Sequence, residues 1–155
     1  MKSSEPGRRR ETGARKNSRR RSREFALQGL YQWQLAKTDP VLIATQMAET
    51  DGYGRSDEEY FRGLLYGTIE EAQALEQAIA PSLDRRFVEL SPVERGILLI
   101  ACYELLHRPE VPYRVVINEA VELAKSYGGT DGYKFVNGVL DKLVAQLRPW
   151  EEKRP

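Results

Sequence analysis

A single cysteine, Cys102, and a single histidine, His107, are all that 155 residues supply of two versatile catalytic side chains. One cysteine cannot close an intramolecular disulfide, which points to a reducing, cytoplasmic setting. Cys102 and His107 stand five positions apart, about 140° around a helix, so they do not face one another as nucleophile and base. Two such ligands are too few for a zinc site, and no carboxylate loop has calcium-binding spacing. No metal or cofactor is expected, and enzymatic chemistry is not expected either. Gly128, Gly129 and Gly132 match no phosphate-binding fingerprint, because no strand precedes them and Gly132 is followed by Tyr133. No apolar run reaches about 18 residues, so no membrane span is expected. The arginine-rich N-terminus lacks the apolar stretch of a secretory signal. Sustained period-two alternation is missing too, so the fold class is all-α.

What the chain has is charge, unevenly placed. Residues 1–23 hold ten basic and two acidic residues, a net +8, while residues 24–155 hold 14 basic and 21 acidic, a net −7. A basic arm on an acidic body suggests two partners of opposite charge, and clustered arginine is the electrostatic footprint of nucleic-acid binding. A solubilising tail is the alternative. Residues 1–18 lack periodicity and read as a disordered basic arm, and residues 149–155 as a flexible tail.

Between them, residues 19–148 read as helices in one domain. The first begins near Arg21, with Phe25, Ala26, Leu27, Leu30, Tyr31 and Trp33 as its apolar stripe. Arg19, Arg20, Arg21 and Arg23 then crowd its N-terminus, against the helix dipole, unless a polyanion binds there or the helix frays to Glu24. Asp39-Pro40 starts a second helix, ending near Thr50. Ser56-Asp57-Glu58-Glu59 matches a capping box for a third, with a break near Gly67 and a stop at Pro81. A short turn is expected around Leu83 to Phe87. Ser91-Pro92-Val93-Glu94 is a second capping box, and the Ile97–Leu106 segment after it is apolar nearly all round, as a central buried helix must be.

The most distinctive stretch is Val111–Leu143. Val116, Ala120, Leu123 and Tyr127 recur at helical spacing, then Gly128 and Gly129 offer positive φ where that helix stops. Thr130 or Asp131 can cap the next helix, whose stripe runs from Phe135 or Val136 through Leu147. Tyr-Lys-Phe at 133–135 is more than a core-facing helix needs, and suits base stacking and phosphate contact. Tyr31 and Trp33 stand about 200° apart, and periodicity alone puts Tyr31 in the core.

This stretch closely resembles the NusB family of bacterial transcription antitermination factors. The resemblance rests on Val111-Pro112-Tyr113, Ile117-Asn118-Glu119-Ala120, Glu122-Leu123-Ala124-Lys125 and Lys134-Phe135-Val136-Asn137-Gly138-Val139-Leu140-Asp141-Lys142. It continues through Glu94, Tyr103-Glu104-Leu105, Tyr60-Phe61 and Ala26–Trp33, covering roughly residues 19–148. It implies about seven helices in two small packed bundles, and binding to boxA RNA of nascent ribosomal RNA transcripts together with NusE, a small-subunit ribosomal protein. The pair would nucleate an antitermination complex on RNA polymerase. The implied RNA side comprises Arg19, Arg20, Arg21, Arg23, Gln28, Tyr31, Asp131, Lys134 and Phe135, which takes Tyr31 out of the core. The implied NusE side comprises Glu94 and Glu104. The extended arm and the Gly132-Tyr133 pair depart from the family pattern, and a homodimer stays open beside a monomer. A similar helical domain precedes the catalytic domain of some ribosomal RNA cytosine methyltransferases, but 155 residues leave no room for that enzyme. A helical adaptor without a nucleic-acid role is the third reading.

Overall fold

The computed structural model describes residues 4–152, with side chains over 13–151. Among these residues eight α-helices follow one another: α1 (Ser4–Ala36), α2 (Pro40–Ala48), α3 (Glu58–Glu70), α4 (Ala72–Ile79), α5 (Pro92–His107), α6 (Tyr113–Tyr127), α7 (Gly132–Leu147) and α8 (Pro149–Glu152). Among the described residues there is no strand, and no helix is long and apolar enough to cross a membrane.

Local chemistry explains most of the boundaries. The Asp39 carboxylate accepts from the Val41 amide at 2.8 Å, with Pro40 at the first helical position. Ser91 and Glu94 cap α5 reciprocally: Ser91 Oγ accepts from the Glu94 amide at 3.1 Å, and Glu94 Oε1 from the Ser91 amide at 3.4 Å. The third cap lies one residue later than the sequence pattern suggests. Asp57 accepts from the Tyr60 amide at 3.1 Å, while Ser56 Oγ turns back to the Tyr53 carbonyl. The expected break at Gly67 falls instead at Glu71, between α3 and α4. Gly67 serves packing: a Cβ there would lie 2.4 Å from the Tyr103 ring. The helical turn expected around Leu83 to Phe87 does not form there: residues 83–86 are non-helical and lie between two 3-10 turns, Ala80–Ser82 and Phe87–Glu89.

Packing divides the chain into two small bundles. The first is α1 with α2 and α3; the second is α5 with α6, α7 and α4, and the two meet along α1 and α5. Residues 96–102 and Leu105 of α5 are buried on every side, so α5 is the spine. Burying each of the Leu and Ile side chains among these residues is worth roughly 1.5–3 kcal/mol, while Leu106 stays exposed. Phe25, Tyr53 and Phe61 close the first bundle edge-to-face, with ring centroids 5.5 to 6.4 Å apart. Cys102 is buried within α5, and burial pushes its thiol up to about 12. His107 Nε2–H donates to Glu71 Oε1, 2.8 Å away, and the ring packs tilted against Tyr103.

Both chain ends differ from their expected disorder. The arm expected over residues 1–18 is helical from Ser4, continuous with the docked part of α1; residues 1–3 lie outside the described residues. Arginine, lysine and glutamate are good helix formers and need no apolar face once the docked turns have nucleated the helix. The arginines at 19–23 therefore sit within the helix, so neither the expected dipole conflict nor fraying to Glu24 arises. In the expected C-terminal tail, α8 forms and Glu151 accepts from the Tyr113 amide at 3.0 Å. Residues 153–155 lie outside the described residues.

Arg148 holds the second bundle together. Its guanidinium is 1% exposed and donates to the carbonyls of Glu104, Leu105, Arg108 and Val111. The Leu105 carbonyl lies in the last turn of α5, where carbonyls lack intrahelical partners, while that of Glu104 also accepts from the Arg108 amide at 2.9 Å. Arg148 thus fixes the α5–α6 connection that underlies the N-terminal half of α1.

Candidate nucleic-acid interface

Arg19, Arg20, Arg21 and Arg23 of α1 do not form one patch, because successive positions turn about 100° around the helix. Arg23 points inward and is 3% exposed. Its Nε and Nη2 grip Glu104 at 2.9 and 2.8 Å, and the Tyr60 hydroxyl donates to the same carboxylate. Glu104 itself is 1% exposed. Burial alone would lower the Arg23 pKa, but the Glu104 contact outweighs it and holds the guanidinium well above its usual range. Burial and the adjacent Glu104 carboxylate push the Tyr60 phenol up. This geometry corrects two expectations. Arg23 leaves the RNA side and Glu104 leaves the partner side, because each neutralises the other inside the fold.

The neighbouring arginines keep some exposure. Arg20 bridges to Glu119 of α6 with two bonds, at 2.9 and 2.8 Å, yet its side chain is 39% exposed. That bond raises its pKa further. Arg19 stacks on the Tyr60 ring at 4.3 Å, and Arg21 reaches toward Gly52. A network from Arg20 through Glu119, Arg23 and Glu104 to Tyr60 thus ties α1 to α6, α5 and α3.

A second set of side chains gathers about 16 Å further along α1, eleven residues on from Arg20. Leu27, Gln28 and Tyr31 of α1, Val93 of α5 and Tyr127 of α6 line an open cavity of about 330 Å³. Gln28 Nε2 donates to the Tyr127 hydroxyl at 3.2 Å. Tyr31 is 45% and Tyr127 40% exposed, so Tyr31 is not the core residue that periodicity alone suggests. Trp33 is half-buried against the core. Tyr127 escaped the sequence reading because it continues the buried stripe of Val116, Ala120 and Leu123. Its place at the last turn, just before a glycine, was the available signal.

The turn after α6 adjoins this cavity through Tyr127. Gly128 has an extended backbone (φ −94°) and not the expected positive φ. Glycine is needed for space, since a Cβ would lie 2.8 Å from the Ala124 carbonyl oxygen. Asp131 occupies the N-cap of α7 without a side-chain cap bond, and pairs at 3.6 Å with Lys134. Both side chains are largely exposed, so the pair contributes little and yields readily to a ligand. Tyr133 lies under Lys125 and Lys134, at 5.3 and 6.0 Å from its ring centroid. Phe135 is half-buried with the Arg85 guanidinium 4.8 Å above it, a partner that sequence reasoning missed because it lies 50 positions away. The Gly132 Cβ position is 3.6 Å from Glu94 Oε2, which brings the cap of α5 to the start of α7. Glu94, expected on a separate protein-binding side, therefore borders the same end of the molecule as Tyr31 and the 128–132 turn.

Exposed tyrosines, an exposed lysine at a helix start and a basic helix leading up to them can stack bases and neutralise phosphates. Among the described residues no group of His, Cys, Asp or Glu could hold a metal ion.

Comparison with known proteins places this arrangement. The model of the NusB family matches residues 20–145. Proteins named transcription antitermination protein NusB are 57% identical over 134 residues in Thiobacillus denitrificans, covering 86% of this chain and 92% of that one. In Burkholderia cenocepacia the identity is 57% over 137 residues, covering 88% and 94%. Among solved structures, NusB of T. maritima superimposes with a TM-score of 0.75 at 30% identity, covering 88% of this chain and 97% of its own. A structure of antitermination factors NusB and NusE in complex with dsRNA gives 0.74 at 25% identity, over 84% and 98%. With sequence and helical arrangement agreeing along most of both chains, this chain belongs to the NusB family.

Proposed function

We propose that this chain is a transcription antitermination factor that binds boxA RNA of nascent ribosomal RNA transcripts together with NusE, as part of an antitermination complex on RNA polymerase. The observation that carries the reading is the exposed Tyr31–Tyr127 cavity beside the Asp131–Lys134 turn, reached along a basic helix. Gln28, Tyr31, Asp131, Lys134 and Phe135 form the RNA-reading end. Arg19, Arg20 and Arg21 supply the electrostatic approach. Arg23 takes no part.

The ribosomal protein meets the same end from the α5 side. Glu94 offers it a carboxylate, and Val93 an apolar contact at the rim of the tyrosine cavity. RNA and protein then share one continuous surface, so each strengthens the binding of the other. The NusE–RNA complex of a structural relative is in keeping with this reading.

Titration with boxA RNA and a scrambled control, each with and without NusE, tests it. Saturable binding that prefers boxA and tightens with NusE is the expected result. Equal binding of both RNAs, unaffected by NusE, would refute it and favour an adaptor role.

A further inference from the structure

The N-terminal part of α1 builds something that the family-matched region does not contain. Arg15, Lys16 and Arg19 all precede residue 20, where the family match begins. They form one wall of a groove of about 260 Å³, whose floor is Val111, Pro112 and Val115 from the α5–α6 connection and the first turn of α6. The floor is held in place from beneath, since Arg148 binds the Val111 carbonyl at 2.6 Å.

The cations on the wall are under-used. Among the described residues neither Arg15 nor Lys16 forms an ion pair. The nearest carboxylate to Arg19 is Asp57 at 4.0 Å, and the buried Arg19 Nε has no acceptor. Glu119 also lines the groove but is already neutralised by Arg20 and Arg23. The remaining acidic residue, Glu110, presents an acceptor that suits a ribose hydroxyl or an exocyclic amine. Cationic wall, apolar floor and one acceptor describe a nucleotide better than a free phosphate.

We propose that this groove binds a nucleotide of the transcript flanking the boxA element. The inference rests on the RNA-binding reading above and adds a second contact to it. The phosphodiester lies against Arg15, Lys16 and Arg19, and the base covers Val115 and Pro112. The preceding turns of α1 thereby lengthen the RNA footprint, next to the turn that carries Arg20 and Arg21.

The test compares a boxA RNA with a longer RNA that also carries flanking nucleotides, using the full chain. Val115→Glu places a carboxylate on the groove floor without touching an arginine. Val41→Glu is the control: it makes the same charge change at an exposed position in the first turn of α2, away from the groove. The wild type binds the longer RNA more tightly than the short one. Val115→Glu abolishes that gain, a loss of roughly tenfold as expected for one charge-assisted contact, and leaves short-RNA affinity unchanged. Val41→Glu retains the gain. Arg15→Ala with Lys16→Ala reproduces the loss and flattens the salt dependence by about 0.7 per phosphate contact. Equal behaviour of Val115→Glu and Val41→Glu, or no gain from flanking nucleotides in the wild type, overturns the proposal; the groove chemistry then fits an acidic protein segment instead. Failure of the wild type to bind the short RNA refutes the underlying RNA-binding reading itself.

Discussion

Replacing Arg23 with Ala is expected to unfold the protein more readily while sparing RNA affinity. Arg23 and Glu104 are both nearly dry, joined by bonds of 2.9 and 2.8 Å, and 81 positions apart in sequence. Removing the guanidinium leaves the Glu104 carboxylate inside the fold with only the Tyr60 hydroxyl as a close donor. Orphaning one member of a buried ion pair costs about 3–5 kcal/mol. In a domain of this size each kcal/mol lowers Tm by about 2–4 °C, so the expected drop is about 6–20 °C. An exposed arginine lost from a helix changes stability by about 0.5 kcal/mol at most. Melting followed by circular dichroism separates the two cases. Titration with boxA RNA below the transition should give the wild-type affinity. Arg23→Met combined with Glu104→Leu removes both charges and recovers most of the lost stability. A small Tm change together with weakened RNA binding would refute the buried-pair reading and return Arg23 to the RNA side.

Arg148→Met should cost at least about 3 kcal/mol, because four carbonyls lose a charged donor at once; a Tm near wild type would contradict its role as a clamp. Cys102 should resist alkylation in the folded protein below pH 9 and react fully after denaturation, since burial raises its thiol from 9.0 to about 12. Because the folded value is the higher one, its contribution to stability is complete below pH 9 and is lost as pH rises toward about 12, which alkaline melts can follow. Glu94→Gln preserves the capping box, so Tm should stay within about 1 kcal/mol equivalent of wild type while NusE binding weakens; unchanged NusE binding would confine Glu94 to capping.

Much of this architecture is written locally in the sequence. Asp39-Pro40 and the reciprocal pair Ser91–Glu94 are satisfied within three residues, and the all-round apolarity of α5 specifies its central place without reference to any partner. What escaped notice depends on pairs brought together by folding. Arg23 and Glu104 look like surface charges in sequence because nothing nearby announces a partner 81 positions away. Arg148, the last residue of the helical region, gives no sign of burial until the last turn of α5 closes around it. The length of α1 was hidden for another reason: its N-terminal turns have no apolar stripe in the sequence, and periodicity registers only helices that carry one. At the candidate interface Tyr31 was legible through family resemblance alone, since its helical phase fits the core. Tyr127 was marked only by its place in the last turn before a glycine, and Arg85 carried no independent signal.

The most direct measurement is the affinity of Tyr31→Ala and Lys134→Ala for boxA RNA, set beside the melting temperature of the same samples. Tyr31 is 45% exposed and the Lys134 side chain 66%, so neither substitution opens a cavity in the core. Loss of stacking on Tyr31 should weaken binding by about 1–3 kcal/mol, with Tm nearly unchanged. A large fall in Tm for Tyr31→Ala, or wild-type affinity in both variants, would contradict an RNA-reading surface at this end of the molecule.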